Sequence, residues 1–381
     1  MIVTPQYGVG TLAEVLPSVL AALAPGAFPD PLGLAAGPLA GVRRVAVLLV
    51  DGLGRAQVAQ AAPYAPTLAA LAPGARTLTS GFPSTTPTSL VSVGTGAPPG
   101  AHGVLGFNVR VPGTHQVLNH VQWRDQPDPG AWQPVPTLFT RAVAAGVPAT
   151  VVSKHEFAGS GLTVAAYRGG GYRGASGVDA LATEMLAALG EAGGLVYGYH
   201  PDLDKTGHVH GLASREWASA ASDVDRLLTR LVDGLPADAA LVVTADHGQV
   251  DIPDDRRFDL DGDPALRAGV ELVAGEPRVR YLHTVPGARD DVVAAWRAVL
   301  GDAAWVATRE EAVATGWFGP VPEEHLARVG DVVVVCHDRY AVVATRSEPL
   351  FVSRMVAFHG SYTPAEMEIP LLIARSVGGV G

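Results

Sequence analysis

The sequence predicts an α/β fold, a mostly parallel central sheet with helices on both faces, with a small α+β insertion before the last core strand. Three observations predict it. Short, continuous apolar runs such as Arg44 to Val50 (RVAVLLV) and Ala240 to Thr244 suit strands buried on both faces. These runs alternate with segments of helical periodicity, as crossover connections between parallel strands require. Several of them end abruptly in Asp, His and Gly, at the strand end where open α/β sheets hold their ligands.

The elements follow in order. Thr11 to Leu23 reads as a first helix capped by Thr11, with Leu12, Val15, Leu16, Val19 and Leu20 on one face and Pro17 counting against continuity. Arg44 to Val50 is the first core strand and leads into Asp51-Gly52-Leu53-Gly54. Thr67 to Leu71 reads as a short helix, Arg76 to Ser80 as a strand, Pro87 to Thr95 and Pro136 to Ala145 as helices, and Ala149 to Ser153 as a strand. Val178 to Leu189 is a helix, Gly194 to Tyr199 a strand and Ser214 to Val232 a long helix. Ala240 to Thr244 is a further buried strand, running into Ala245-Asp246-His247-Gly248. The texture then changes. Strands at Arg278 to Thr284, Asp331 to Cys336 and Arg339 to Val343 surround a helix at Arg289 to Leu300, before a last core strand at Pro370 to Ala374. The expected organisation is a core of residues 1–254 plus 351–381, with a smaller α+β portion over 255–350. Pro253-Asp254-Asp255 and Gly360 to Pro364 are the linker candidates.

Composition sets outer bounds. Of 381 residues, 48% are hydrophobic and 17% charged, a globular balance. The net charge of −10 makes long nucleic acids poor partners, whereas a small anionic substrate remains suitable if metal ions neutralise it locally. The single cysteine, Cys336, sits in an apolar run and excludes a disulfide framework. MIVTPQYG lacks a basic stretch followed by an apolar core, and no stretch of 18 apolar residues occurs. No signal peptide and no membrane span are expected, and the cytoplasm is the expected location.

Five segments carry chemistry. Asp51 stands at the end of a core strand. In Thr85-Thr86-Pro87, Pro87 suits the first helical position, which would make Thr86 the N-cap with its hydroxyl at the positive end of the helix dipole. A lone Thr is a weak nucleophile, so catalysis there calls for metal activation. The loop 201–211 holds Asp204 and His208, four residues apart and able to share one ion, with Asp202 and His210 as rivals. Asp246-His247-Gly248 projects two ligand types in different directions, and His359-Gly360 adds another imidazole. A mixture of carboxylate and imidazole suits zinc, with manganese as the rival.

The order strand-Asp-Gly, Thr at a helix start, Asp-x-x-x-His, Asp-His-Gly and His-Gly resembles the alkaline phosphatase superfamily, and within it the type I phosphodiesterase/nucleotide pyrophosphatase family. The resemblance runs from Arg44 to Ala374. It implies an alkaline-phosphatase-like fold and a two-metal hydrolase of phosphate esters. One zinc would be held by Asp204, His208 and His359. The other would be held by Asp51, Asp246 and His247, with Thr86 bridging to it as the nucleophile that forms a phospho-threonine intermediate. His102-Gly103 matches the family's helix-exit segment, and Asn108 lies near the position of its phosphate-contacting Asn. In the superfamily the nucleophile stands ten residues before the Gly of Thr-Gly. Counting back from Gly96 gives Thr86, with Thr85 second, since one residue rotates a helical side chain by about 100°.

The implied substrate is a small phosphate ester such as a nucleotide or other phosphodiester. Relatives with the same ligand pattern cleave phosphomonoesters, phosphonoacetate or sulfate esters, and metal-dependent phosphosugar mutases share the fold. Lys154, His155, Trp123 and Tyr172 are candidates for selecting among substrates.

Overall fold

The computed structural model describes residues 2–375. The chain opens with a capping box. The Thr11 side chain accepts from the backbone of Ala13, and Glu14 reaches back to the Thr11 N–H, starting a short 3-10 turn that continues as α1 (Val15–Leu23). Pro17 is the third residue of α1, in the turn whose N–H groups need no helical partner, so it does not break the helix.

The core strands are β1 (Arg44–Val50), β2 (Arg76–Thr79), β3 (Ala149–Ser153), β4 (Gly171–Gly174), β5 (Gly194–His200), β6 (Ala239–Thr244) and the last strand, Glu368–Arg375. They form one seven-stranded sheet in which β1 lies between β5 and β6. The β1–β5, β1–β6, β3–β5 and β3–β4 pairings are all parallel. The last strand runs antiparallel to both of its neighbours, β2 and β6. Strands β1, β5 and β6 are buried along nearly their whole length, as their unbroken apolar runs require.

Helix α2 (Thr86–Thr95) packs with α1 and with the helices Leu138–Ala144 and Gly161–Tyr167. A second group comprises α3 (Gly177–Glu191) and α5 (Arg215–Asp233), with α4 (Asp202–His210) between β5 and α5. Helix α5 is started by Ser214, whose hydroxyl accepts from the Trp217 N–H at 3.0 Å. It buries Trp217, Ala221, Val224, Leu228 and Leu231, a spacing of four and three that makes one apolar stripe. Among the described residues no helix is long and apolar enough to cross a membrane.

Three local expectations change. The segment read as a loop at 201–211 is a helix, α4. Helix α2 begins one residue earlier than the proline suggested, so Thr85 is its N-cap and Thr86 its first residue. The edge strand β4, rich in glycine, carries no apolar run and gave no sequence signal.

Between β6 and the last strand lies a four-stranded antiparallel sheet of β7 (Val270–Glu276), β8 (Val279–Thr284), β9 (Ala304–Thr308) and β10 (Val332–Cys336), in the order β7-β8-β10-β9. Alternation along β10 gives this sheet two buried faces. Val333 and Val335 join the core shared with the main sheet, while Val332, Val334 and Cys336 face a second core with Trp296 and Leu300 of α6 (Arg289–Leu300). Burial pushes the Cys336 thiol up to about 11, so the lone cysteine behaves as a small hydrophobe.

This second sheet is bolted to the loop after His359. Arg278 donates through Nε and Nη2 to the two carboxylate oxygens of Glu366, at 2.9 and 2.7 Å, and both side chains are fully buried. Glu366 also accepts from the Ser361 N–H at 3.0 Å. Removing one member of such a pair leaves a buried charge uncompensated, at a cost of about 3–5 kcal/mol. Glu366→Leu should therefore lower the midpoint of urea unfolding markedly, whereas Asp223→Ala, which breaks the exposed Asp223–Arg226 pair, should shift it little. Equal shifts in the two variants would contradict the clamp.

Candidate active site

Parallel pairing decides where the acidic segments meet. Val50 of β1 stands beside His200 of β5, and Leu49 stands beside Thr244 of β6. Asp51, the start of α4 and Asp246 therefore leave the sheet side by side at one rim. Asp204 is buried near the N-terminal end of α4, and His208, four residues later, falls on the same face. His208 Nε2 lies 3.1 Å from Asp204 Oδ2.

His359 arrives by a different route. The two-residue strand Ala357–Phe358 pairs antiparallel with Val250–Asp251, just beyond the Asp246-His247 turn. That pairing sets the His247 and His359 rings parallel, with centroids 3.6 Å apart. Helix α2 and the segment leading into it are stitched to both loops. Ser80 and Ser89 donate from their hydroxyls to the Asp246 carbonyl at 2.6 and 3.1 Å, and the Ser84 N–H donates to the Gly360 carbonyl at 3.0 Å.

The glycines of these segments answer to space. Gly52 has a φ of 72°, its N–H donates to Asp246 Oδ1 at 3.1 Å, and a Cβ there would lie 3.0 Å from Asp204 Cβ. A Cβ on Gly54 would stand 2.5 Å from Gly248 Cα, so the Asp51 and His247 loops approach glycine to glycine.

The result is a tight group of ionisable side chains. One set is Asp51, Asp246 and His247, and another is Asp204, His247 and His359; in each, the candidate ligand atoms lie within 4.8 Å of one another. His247 Nε2 is 3.3 Å from Asp246 Oδ2 and 3.6 Å from Asp51 Oδ1, and His359 Nε2 is 3.8 Å from Asp204 Oδ1. His247 thus stands between the two sets, while His208 joins the second through Asp204.

Each imidazole is held by its outer nitrogen. Nδ1 of His208, His247 and His359 faces the carbonyls of Ala357, Gly248 and Ser84, at 2.8, 3.2 and 2.9 Å. A carbonyl only accepts, so Nδ1 carries a proton and Nε2 is the nitrogen turned to the centre. On His208, burial disfavours the charged ring but is outweighed by the Asp204 carboxylate, so this imidazole is raised above its ordinary range. The Thr86 hydroxyl lies 3.1 Å from His247 Nε2 and is half-buried, whereas Thr85 is fully buried with its hydroxyl unpartnered.

The electrostatics are those of a cation site. Burial drives the Asp51 carboxyl well above its usual range, and Asp246 and Asp204 push it further, against a hydrogen bond donated by the Tyr199 hydroxyl. Burial likewise raises Asp246. Asp204 goes the other way. Its burial is outweighed by the attraction of His208, with which it shares a hydrogen bond. Asp51 Oδ1 and Asp246 Oδ2 are buried without a hydrogen-bond partner. Unpaired carboxylate oxygens of this kind are expensive unless a cation faces them. Three carboxylates, three imidazoles aimed inward by backbone carbonyls and one hydroxyl make a donor set that fits divalent ions of the zinc type.

The remaining sequence candidates fall outside this group. Asp202 pairs with Lys154, and His210 is exposed on α4. Trp123 is buried and donates to the Pro127 carbonyl at 2.8 Å, and the Tyr172 hydroxyl donates to the Lys154 carbonyl at 2.6 Å. The His155 ring packs against Gly174. His102 is fully buried and hydrogen-bonds Ser92 on α2 at 2.9 Å. Asn108 lines a cleft together with His208 and His359. Supporting residues that sequence reasoning missed are Tyr199, donor to Asp51, and Gln249, whose side-chain amide donates to the Asp204 carboxylate and, at 3.0 Å, to its carbonyl. Neither has a local signal, because each is identified only by what it touches.

Residues 45–362 match the family described as type I phosphodiesterase/nucleotide pyrophosphatase. The chain belongs to that family, and so to the alkaline phosphatase superfamily. It is a hydrolase of the phosphodiesterase/pyrophosphatase type. Murine ectonucleotide pyrophosphatase/phosphodiesterase 5, solved as an inactive form in complex with AMP, superposes with a TM-score of 0.68 at 19% identity, covering 87% of this chain and 88% of that one. The human ectonucleotide pyrophosphatase/phosphodiesterase 5 gives 0.64 at 17% identity, over 87% and 88% of the two chains. Phosphonoacetate hydrolase from Sinorhizobium meliloti 1021, in complex with phosphonoformate, gives 0.63 at 21% identity, over 90% and 92%. These likenesses establish the fold. No curated protein sequence matches the chain.

The charge pattern makes stability and metal loading trade against each other. Metal-reconstituted protein should hold about two equivalents of divalent ion, and His359→Ala about one, by elemental analysis. Asp51→Asn keeps an acceptor for Tyr199 but removes a buried charge. It should lose one ion yet raise the thermal midpoint of the metal-free protein by about 2 °C. A lower midpoint would contradict the repulsion argument.

Proposed function

We propose that the chain is a two-metal phosphodiesterase or nucleotide pyrophosphatase, with Thr86 as the nucleophile that carries the phosphoryl group between two displacements. The observation that carries this reading is the placement of the Thr86 hydroxyl. It stands at the first turn of α2, half-exposed, 3.1 Å from His247 Nε2 and at the edge of the Asp51–Asp246–His247 set. Thr85, the alternative, is shut off from solvent.

Asp51, Asp246, His247 and Thr86 would hold one divalent ion and Asp204, His208 and His359 the other, with zinc favoured by the nitrogen and oxygen donors and manganese as the rival. Bound there, the ions would neutralise the three carboxylates and lower the pKa of oxygens that touch them. The chain's own groups do the rest. Thr86 Oγ loses its proton and bonds to phosphorus as the bond from phosphorus to the leaving oxygen breaks. The departing oxygen takes up a proton, and water then displaces Thr86 from phosphorus. The N–H groups of the first turn of α2 and the amide of Asn108 bind the non-bridging oxygens. The seryl hydroxyls holding Asp246, and the carbonyls holding the three imidazoles, keep this arrangement fixed before substrate arrives.

A phosphonoacetate hydrolase reading has one support, the phosphonate-bound neighbour of the same fold. A substrate with a free carboxylate calls for a cation to receive it, and the cleft beside His208 and His359 is lined by neither Lys nor Arg. We therefore favour the diester.

Thr86→Ala should lower p-nitrophenol release from a thymidine phosphodiester by at least about a thousandfold while the metal content stays near that of the wild type. Thr85→Ala should retain most of the activity. Turnover surviving in Thr86→Ala would move the nucleophile elsewhere, and faster cleavage of a simple phosphomonoester than of the diester would overturn the diester assignment.

A further inference from the structure

Beside the Asp204 cluster lies a pocket of about 110 Å³ with His208 and His359 on one wall. Phe107, Phe351, Met355 and Phe358 give it apolar sides. Its charged lining residues are two glutamates, Glu276 and Glu348.

The two acids differ in one respect. Glu348 is neutralised by Arg280, whose Nη1 and Nη2 donate to its two oxygens, the second at 2.8 Å. The same guanidinium also donates to the Val342 carbonyl at 2.9 and 2.7 Å, so four of its five N–H groups are engaged away from Glu276. Glu276 has no such partner. It is 6% exposed and its Oε1 is buried without a hydrogen bond. Its position is fixed, because it ends β7 at the tight turn into β8, and its carboxyl packs so closely on Gly360 that a Cβ there would lie 2.8 Å from Glu276 Cδ. Burial pushes the carboxyl up to about 8, with Glu366 raising it further and Arg280 pulling it down. A buried acid that faces a ligand pocket and lacks a cation is one that a ligand can complete. Aromatic side walls favour an ammonium group over an anion.

We propose that this pocket receives the organic substituent of the phosphate ester and selects one carrying an ammonium group on a short alkyl arm, with Glu276 as the specificity-determining residue. The assignment rests on the phosphate-ester reading of the metal clusters. Carboxylated or further phosphorylated substituents meet the unpartnered Glu276 there and are disfavoured.

The test compares two ligands of the same shape that differ in charge. Phosphocholine and 3,3-dimethylbutyl phosphate, in which a carbon replaces the nitrogen, are titrated calorimetrically into the metal-loaded protein. Phosphocholine should bind about tenfold tighter to the wild type. In Glu276→Gln the ratio should fall to about one, with the affinity for dimethylbutyl phosphate and the metal content unchanged. That last pair of readouts separates lost recognition from lost folding. Equal affinities in the wild type, no binding of phosphocholine, or a preference that survives Glu276→Gln overturns the proposal. Turnover is read separately. Selective binding without cleavage of any ester would sink the hydrolase reading and leave the pocket assignment standing, whereas cleavage without selectivity would sink the pocket alone.

Discussion

Mutual repulsion among Asp51, Asp204 and Asp246 is the constraint on which the rest of the site depends. All three are at least nine-tenths buried, and two of them carry oxygens with no hydrogen-bond partner. Burial and repulsion raise Asp51 and Asp246, so these two oppose folding until cations join them, whereas Asp204 is met by His208. The three imidazoles are set ready for those cations, since their outer nitrogens are tied to backbone carbonyls and their inner ones face the cluster. Two divalent ions would bring four positive charges, against three carboxylates and, in the proposed mechanism, one ionised threonyl oxygen.

A site this unfavourable without metal has to be held together by structure that does not depend on it. The parallel register of β5, β1 and β6 places three of the segments at one rim. The pairing of 357–358 with 250–251 brings His359 against His247 from far along the chain. Helix α2 is fixed by the Ser89 hydroxyl to the carbonyl of Asp246, which Ser80 also holds, and its first residue, rather than its cap, carries the hydroxyl that faces the cluster. The buried Arg278–Glu366 pair adds the second sheet to this frame, so the loop after His359 is anchored from both sides. The same sheet delivers Glu276 to the neighbouring pocket, which links substrate choice to the part of the chain that is not the core α/β sheet.

The sequence made the parallel core legible because strands buried on both faces leave unbroken apolar runs, as at Arg44–Val50 and Ala239–Thr244. It made the acidic segments legible because each follows such a run, and order along the chain then linked them to a family. What it obscured has physical reasons. Gly171–Gly174 pairs by backbone alone and leaves no side-chain pattern. Asp202–His210 is polar and holds a glycine, which reads as a loop, and its helix packs against α5 and the Ala357–Phe358 strand. The start of α2 was misjudged by one residue because Pro is accepted at the second helical position as well as the first. The antiparallel direction of Glu368–Arg375 lies in its pairing with β2 and β6, strands distant in sequence, which no local pattern encodes. Tyr199, Gln249 and Glu276 stayed hidden because their roles come from neighbours distant in sequence.

The central claim is that the two ligand sets hold two ions side by side. The most direct measurement is anomalous X-ray scattering at the metal edge from crystals of the reconstituted protein. The account predicts two peaks about 3.5–4 Å apart, one among Asp204, His208 and His359 and the other among Asp51, Asp246, His247 and the Thr86 hydroxyl. A single peak, or peaks away from these side chains, would contradict it.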